Sequence, residues 1–124
     1  MARILVIDDD EIMNQLIIQW LTTAGYFAEG ALDGAAGLKL WEAKPYDLIV
    51  TDIVMPEKEG LETIRIIRKT NKSIPVIAIS GGGRNHPAGY LESARIFGAD
   101  YTFEKPFEQD AFLAAVRDCL DRGV

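Results

Sequence analysis

Short apolar runs alternate with amphipathic stretches five times along this chain, and that alternation limits the folds it can adopt. Residues 3–7, 48–51 and 75–79 are apolar without the every-second-residue pattern of a half-exposed strand. Strands of that kind are buried on both faces, as in a parallel sheet covered by helices. With residues 26–31 and 101–104 they make five predicted strands. The pattern predicts an α/β three-layer sandwich with right-handed connections.

Amphipathic stretches with helical spacing separate and follow these strands. In residues 11–24, apolar positions recur at helical spacing, Asp10 offers an N-cap carboxylate, and Gly25 is a natural stop. Asp33 is predicted to cap a second helix that ends near Ala43. Further helices are predicted over residues 60–70, 88–97 and 108–122.

Composition and charge narrow the function classes. The 124 residues fit one domain, 48% of them are apolar, and the net charge is −6 without a Lys/Arg cluster. Direct binding to nucleic acid or to an acidic membrane is therefore not expected. Cys119, the single cysteine, is predicted to be a small buried hydrophobe. With no signal peptide and no apolar run near the roughly 20 residues of a membrane span, a cytoplasmic protein is expected.

Polar side chains stand where four of the predicted strands end. Three carboxylates in one place repel each other unless a cation lies between them. An all-oxygen, multi-carboxylate site suits a hard divalent cation, and Mg²⁺ is the usual choice beside a phosphate. Together with a lysine and a hydroxyl, such a site can carry out phosphoryl transfer. The residues concerned are Asp8 and Asp9 after the first strand, Asp52 after the third, Ser80 after the fourth and Lys105 after the fifth.

Three motifs resemble those of bacterial response-regulator receiver domains of the CheY-like superfamily. The run ILVIDDD at residues 4–10 is similar to the opening of that family. The run DIVMP at residues 52–56, followed by Gly60, looks like its phosphoacceptor motif. A Gly-Ala pair at 98–99 and the run KPF at 105–107 resemble its closing signature. The resemblance covers the whole chain.

The resemblance implies a flavodoxin-like, doubly wound (βα)5 fold with a parallel five-stranded sheet of order 2-1-3-4-5. Asp52 would be the phosphoacceptor. Asp9 and Asp52, with the backbone carbonyl of Val54, would bind Mg²⁺ (or Mn²⁺) directly, while Asp8 would act mainly through water. Lys105 would pair with Asp52 or with its phosphate. The family pattern also implies a cis peptide bond between Lys105 and the proline that follows.

Signal output is expected to depend on Ser80, which stands where the family has a Ser or Thr that turns toward the phosphate. The family often carries an aromatic residue where this chain has Thr102, and strand alternation points the neighbouring Tyr101 to the other face. Signalling would then need another coupled element, or Thr102 could relay the signal through its hydroxyl. Asn14 stands where the family often has arginine, a position expected to be peripheral.

The glycine-rich segment 81–87 makes the interval from Ser80 to Lys105 longer than in the family. Glycines permit conformations that other residues avoid, at a cost in rigidity. Two readings stay open: a flexible surface loop, or a lid over the phosphate with Arg84 or His86 reaching in. His86, the only histidine, is expected to be a solvated loop residue, because one ligand makes no metal site.

Three functions compete. The favoured one is a phosphorylatable switch that receives a phosphoryl group from a histidine kinase or a histidine phosphotransfer domain. Such a protein is not an enzyme in the usual sense, since it promotes only its own phosphorylation and dephosphorylation. The second is a haloacid-dehalogenase-like phosphohydrolase that uses Asp8 and Asp10. The third is a flavodoxin-like binding module, which would need a phosphate-cradling loop where the chain has acids at 8–10.

Residues 1–124 are expected to form one receiver domain without an output domain. A stand-alone receiver and a piece of a longer regulator both stay open. A downstream output protein or a missing output domain would then read the signal. A homodimer through the last two helices and the fifth strand is a further expectation from the family.

Overall fold

The computed structural model describes residues 1–53, 59–80, 95 and 98–122. Its strands are β1 (Arg3–Ile7), β2 (Phe27–Ala31), β3 (Leu48–Asp52), β4 (Val76–Ser80) and β5 (Tyr101–Glu104). Its helices are α1 (Glu11–Thr23), α2 (Gly34–Ala43), α3 (Glu59–Thr70) and α4 (Gln109–Arg122). Of the helix expected over 88–97, the described residues include only Arg95, which is helical.

All strand pairs in the sheet are parallel, and their order is β2-β1-β3-β4-β5. This confirms the α/β class, the parallel sheet and the order that the family resemblance implied. Every residue of β3 and β4 is buried, which confirms that unalternating apolar runs mark strands covered on both faces. β3 and β4 each extend one residue further than expected, so Asp52 and Ser80 are the last residues of their strands.

Strand alternation divides the core into two apolar layers, one on each face of the sheet. One layer joins Leu5, Ile7 and Ile49 to apolar residues of α2 and α3. The other joins Ile4 and Val50 to residues of α1 and α4. The three-layer sandwich is thereby confirmed. No helix in the described part of the chain combines the length and apolar character that a membrane crossing requires.

Helix caps form where the sequence predicted them. The carboxylate of Asp10 accepts hydrogen bonds from the backbone N–H groups of Ile12 and Met13, and that of Asp33 accepts one from Ala36. Gly25 follows α1 with a φ of 99°, a conformation that favours glycine. These caps fix where α1 begins, directly after the acidic turn that follows β1.

An aromatic cluster holds the segment that carries Lys105. The ring of Phe112 on α4 lies 5.9 Å from Phe103 and 5.6 Å from Phe107, which flank that lysine, and 6.0 Å from Trp20 on α1. Phe112 is fully buried. The cluster therefore ties β5 and the turn after it to both helices of this face.

Removing the central ring of this cluster should cost much of the folding free energy. We expect Phe112→Ala to lower the free energy of unfolding by about 3–5 kcal/mol, because it leaves a cavity in a close-packed core. Urea denaturation followed by circular dichroism measures this. Phe27→Ala is the matched control, since that ring is 43% exposed and should cost less than about 1 kcal/mol. Equal losses in the two variants would contradict the proposed role of the cluster.

Candidate functional site

The carboxyl ends of the parallel strands share one edge of the sheet, and the predicted site residues lie along it. Asp8 and Asp9 follow β1, Asp52 ends β3, Ser80 ends β4 and Lys105 follows β5. Backbone pairing sets this alignment: Ile53 N–H donates to the Ile79 carbonyl at 2.9 Å, and Lys105 N–H donates to the Ser80 carbonyl at 2.7 Å. In open α/β sheets, this edge is where ligands bind.

Three carboxylates from two strand ends converge here. One oxygen from each of Asp8, Asp9 and Asp52 can be chosen so that all three atoms lie within 4.8 Å of one another. Asp8 is fully buried, Asp52 is 3% exposed, and Asp9 faces solvent. Two buried acids beside a solvent-facing one make a site that is open on one side.

Lys105 lies between the two buried acids. Its ammonium nitrogen is 2.9 Å from Oδ2 of Asp8 and 3.3 Å from Oδ2 of Asp52. The Asp52 contact is a hydrogen bond. The Asp8 contact is an ion pair only, because Asp8 Oδ2 accepts no hydrogen bond of ordinary geometry from the described residues. Lys105 therefore bridges Asp8 and Asp52, whereas the family resemblance implied a contact with Asp52 or its phosphate.

Burial and charge act in opposite directions on Lys105. Burial lowers the pKa of its ammonium group, but the contact with Asp8 and the negative charges of Asp52 and Asp8 raise it by more. The net effect is a pKa above the usual lysine value. Lys105 is therefore a permanent positive charge at neutral pH, available to neutralise anionic oxygen atoms.

Asp10 has a different role from the other acids of its run. Its side chain caps α1, while its backbone N–H donates to Oδ1 of Asp8 at 2.9 Å. A haloacid-dehalogenase-like site would need Asp10 as its second reactive acid, and that carboxylate is engaged with the helix. The same cap occupies the N-terminal amides of α1 that a flavodoxin-like module would offer to a phosphate.

The prediction made for Asn14 from the sequence is wrong. Asn14 is not peripheral: it is 4% exposed and its amide nitrogen contacts the carbonyl of Asp8 at 3.2 Å. Its helical spacing from two apolar residues could have indicated burial, since Asn14, Ile17 and Leu21 all lie on the buried face of α1. A polar residue on an apolar stripe has to find partners, and here they lie under the acidic turn.

The described residues place the two predicted switch residues on one face of the sheet. Ser80 is buried at the end of β4, and Thr102 pairs with Ala78, two residues earlier on that strand. Alternation therefore gives Ser80 and Thr102 the same side. Tyr101 faces the other way, as predicted, and its hydroxyl donates to Asp118 on α4.

Other predictions divide into confirmed and untested ones. The Lys105–Pro106 peptide bond is cis, as the family pattern implied. Cys119 is buried, and burial raises the pKa of its thiol, in line with the predicted role as a small hydrophobe. The Val54 carbonyl and the segment 81–87, with Arg84 and His86, lie outside the described residues.

The donor set fits a hard divalent cation. Carboxylate oxygens are the ligands that Mg²⁺ prefers, and three of them can meet here. Oδ2 of Asp8 is a buried carboxylate oxygen without a hydrogen bond from the described residues. Its contact there is the ion pair with Lys105 at 2.9 Å, and this one ammonium leaves most of the negative charge of the three carboxylates for a cation to balance. The acidic cluster is therefore typical of a Mg²⁺-binding receiver site.

With this geometry in place, the comparisons with known proteins give the class. The model of the response regulator receiver domain family matches residues 4–117. The chain belongs to that family: it is a receiver domain of two-component response regulators, CheY-like. Such a domain is a phosphorylatable signalling switch rather than a true enzyme, and membership implies a cognate histidine kinase.

Individual relatives agree with this class. The probable transcriptional regulatory protein SilR of Salmonella typhimurium is 34% identical over 98% of this chain and 52% of its own length. CusR of Escherichia coli K12 is 33% identical, with the same 98% and 52% coverage. The chain thus spans about half the length of these curated relatives.

Solved structures share the fold over the whole chain. The Francisella response regulator 1452 receiver domain has a TM-score of 0.88 at 30% identity, and each chain is covered completely. TrrA of Thermotoga maritima, solved in complex with Mg²⁺-BeF, has a TM-score of 0.85 at 32% identity, covering 97% of this chain and 100% of that one.

Proposed function

We propose that Asp52 accepts a phosphoryl group from the phosphohistidine of a histidine kinase or of a histidine phosphotransfer domain. The single observation that carries this is the pairing of the Asp52 carboxylate, 3% exposed at the end of β3, with the Lys105 ammonium 3.3 Å away. A carboxylate oxygen would attack phosphorus, forming an O–P bond while the N–P bond to the donor imidazole breaks. The imidazole leaves with the electron pair, and Asp52 becomes an acyl phosphate.

The neighbouring residues have proposed roles in that transfer. Asp8, Asp9 and Asp52, with the backbone carbonyl of Val54, would hold Mg²⁺ or Mn²⁺. When bound, the cation neutralises charge on the phosphoryl oxygens during transfer. Lys105 would add a second positive charge to the same oxygens, and its raised pKa keeps it protonated for that role. Asp8, held by the Asp10 amide, would act mainly through water.

Ser80 and Thr102 are proposed to report the phosphoryl group to the rest of the domain. Ser80 ends β4 beside β3, and both hydroxyls lie on one side of the sheet by strand alternation. A phosphoryl oxygen on Asp52 would be a new hydrogen-bond acceptor for the Ser80 hydroxyl. Movement of that hydroxyl would alter the packing around Thr102, which takes the place of the aromatic residue expected from the family.

The proposed partners follow from this role. Residues 1–124 would form one receiver domain that passes its state to a downstream output protein or output domain. A cytoplasmic location, no direct contact with nucleic acid or membrane, and a homodimer through β5 and the last two helices all belong to this proposal. None of them is needed for the phosphorylation chemistry.

Labelling of the purified chain tests the proposal. Acetyl phosphate with Mg²⁺ should add one phosphoryl group per chain, and intact-protein mass spectrometry measures it. Removing the cation with EDTA should suppress labelling, because the acidic cluster then repels the incoming phosphate. Beryllofluoride with Mg²⁺, a mimic of the acyl phosphate, should shift the amide NMR signals of Ser80 and Thr102. Labelling that is insensitive to EDTA, or unmoved Ser80 signals, would contradict the assigned metal or switch residues.

A further inference from the structure

Asn14, in the first turns of α1, lies beneath the acidic turn and is 4% exposed. Its Nδ2 atom is 2.9 Å from the carbonyl oxygen of Ala31, 3.2 Å from that of Asp8 and 3.4 Å from that of Val6. All three neighbours are acceptors, so the amide has to present its N–H₂ group to them. One side chain therefore joins the end of β1, the turn after it and the end of β2.

Hydrogen bonds hold both the backbone and the side chain of Asp8. Its N–H donates to the Ala31 carbonyl at 3.1 Å, and its carbonyl accepts from Asn14. Its carboxylate accepts from the Asp10 amide at 2.9 Å. Since Ala31 also accepts from Asn14, the edge strand and the helix hold the acidic turn together. Without the Asn14 amide, the Asp8 carbonyl loses its side-chain donor, and the turn is freer to move.

Gly30 leaves the space in which this amide sits. A Cβ atom at position 30 would run into Oδ1 of Asn14 and would lie 2.7 Å from Cδ1 of Ile18. The end of Ile18 can move aside, but the Asn14 amide cannot move without releasing its carbonyl partners. Asn14 and Gly30 therefore form a matched pair across α1 and β2.

We propose that Asn14, with the space left by Gly30, is a positioning residue for the divalent cation. It holds the 8–9 turn so that the carboxylates of Asp8 and Asp9 keep their short spacing to Asp52. An amide does this without adding positive charge, so the negative charge of the cluster stays available to the cation. The inference rests on the proposed function, because it assumes that these acids bind Mg²⁺.

Titration calorimetry with Mg²⁺ tests this on the full chain. Asn14→Leu keeps the approximate size of the side chain but removes the donor, and we expect about 10- to 100-fold weaker Mg²⁺ binding. Acetyl phosphate labelling of Asn14→Leu should need a Mg²⁺ concentration higher by the same factor to reach half its maximal rate. The labelling rate at saturating Mg²⁺ should change much less. Gln15→Leu makes the same chemical change at the exposed neighbouring position and should leave Mg²⁺ binding unchanged.

A double-mutant cycle separates positioning from general damage. Gly30→Ala should weaken Mg²⁺ binding in the wild-type background by displacing the amide. In an Asn14→Ala background the same change should have no further effect, because the amide is already absent. A variant that lost only folding stability would have a lower thermal midpoint without Mg²⁺. It would not make the effect of Gly30→Ala on Mg²⁺ binding depend on the presence of the Asn14 amide. The cycle uses smaller substitutions, so it also decides the question if Asn14→Leu does not fold.

The outcomes are distinguishable. Wild-type protein that neither binds Mg²⁺ nor becomes labelled would overturn the proposed function and this inference with it. Wild-type protein that binds Mg²⁺ normally, with folded Asn14 and Gly30 variants that bind it equally well, would overturn the inference alone. Equal losses from Gly30→Ala in both backgrounds would also overturn it, since the effect would not pass through the amide.

Discussion

Asp52→Asn should abolish Mg²⁺-dependent phosphorylation, reducing incorporation from acetyl phosphate to the background of an unreacted sample. An amide oxygen is a poor nucleophile compared with a carboxylate, and an amide cannot form the acyl phosphate product. Asparagine has nearly the size of aspartate, so the buried end of β3 should keep its packing. Lys105 keeps an anionic partner in Asp8, 2.9 Å away. Intact-protein mass spectrometry over a time course measures the loss.

Folding stability provides the first control for that variant. Asp52→Asn removes one of two buried carboxylates that lie near each other, which relieves repulsion in the metal-free protein. We therefore expect a free energy of unfolding without Mg²⁺ that is equal to or higher than that of the wild type. A variant that loses labelling because it is unfolded would show the opposite.

Asp10→Asn is the second control, and it separates the competing carboxylates. Asparagine caps helices about as well as aspartate, so α1 should remain intact and labelling should persist at the wild-type level. Labelling that survived in Asp52→Asn and disappeared in Asp10→Asn would mean that the reactive acid follows β1 instead. That result would contradict the assigned phosphoacceptor and favour an Asp8/Asp10 pair.

Much of the fold could be predicted because burial leaves a simple trace in the sequence. β1, β3 and β4 are continuous apolar runs, and such runs have few structural explanations at that length. Periodicity alone did not determine the strand order, which came from the resemblance to the family. Once the strands are known to be parallel, the edge that collects Asp8, Asp52 and Lys105 follows from topology.

The arrangement within the site was less predictable, because it depends on side-chain directions. The sequence indicates that Lys105 is close to Asp52, but register and packing decide that its ammonium contacts Asp8 as well. Asn14 was missed for a related reason. Its role depends on three backbone carbonyls, which belong to β1, β2 and the turn between β1 and α1. The positions of backbone groups cannot be read from the residue types.

The Asp8–Lys105–Asp52 contacts lead to the second large effect. Lys105→Met keeps most of the side-chain length but removes the ammonium. The almost fully buried side chains of Asp8 and Asp52 then lack that positive charge. Breaking a buried ion pair by removing one partner costs about 3–5 kcal/mol. We expect the free energy of unfolding of the metal-free protein to fall by about that amount, measured by urea denaturation in EDTA.

Lys44→Met is the matched control for this lysine. Lys44 forms a 2.9 Å ion pair with Glu29, but its side chain is 44% exposed. Surface pairs of this kind contribute at most about 1 kcal/mol, so the loss in this variant should be small. Its stability gain on adding Mg²⁺ should match that of the wild type, since Glu29 is not part of the acidic cluster.

Lys105→Met should increase the stability gained on adding Mg²⁺ but decrease phosphorylation. The ammonium and the divalent cation both neutralise the same acids, so removing the ammonium leaves more negative charge for Mg²⁺ and should strengthen its binding. The rise in thermal midpoint on adding Mg²⁺ should therefore exceed that of the wild type. Labelling at saturating Mg²⁺ should nevertheless fall, on the order of 10²-fold, because one positive charge on the phosphoryl oxygens is lost. Equal midpoint shifts in the two proteins would mean that Lys105 does not share these carboxylates with the cation.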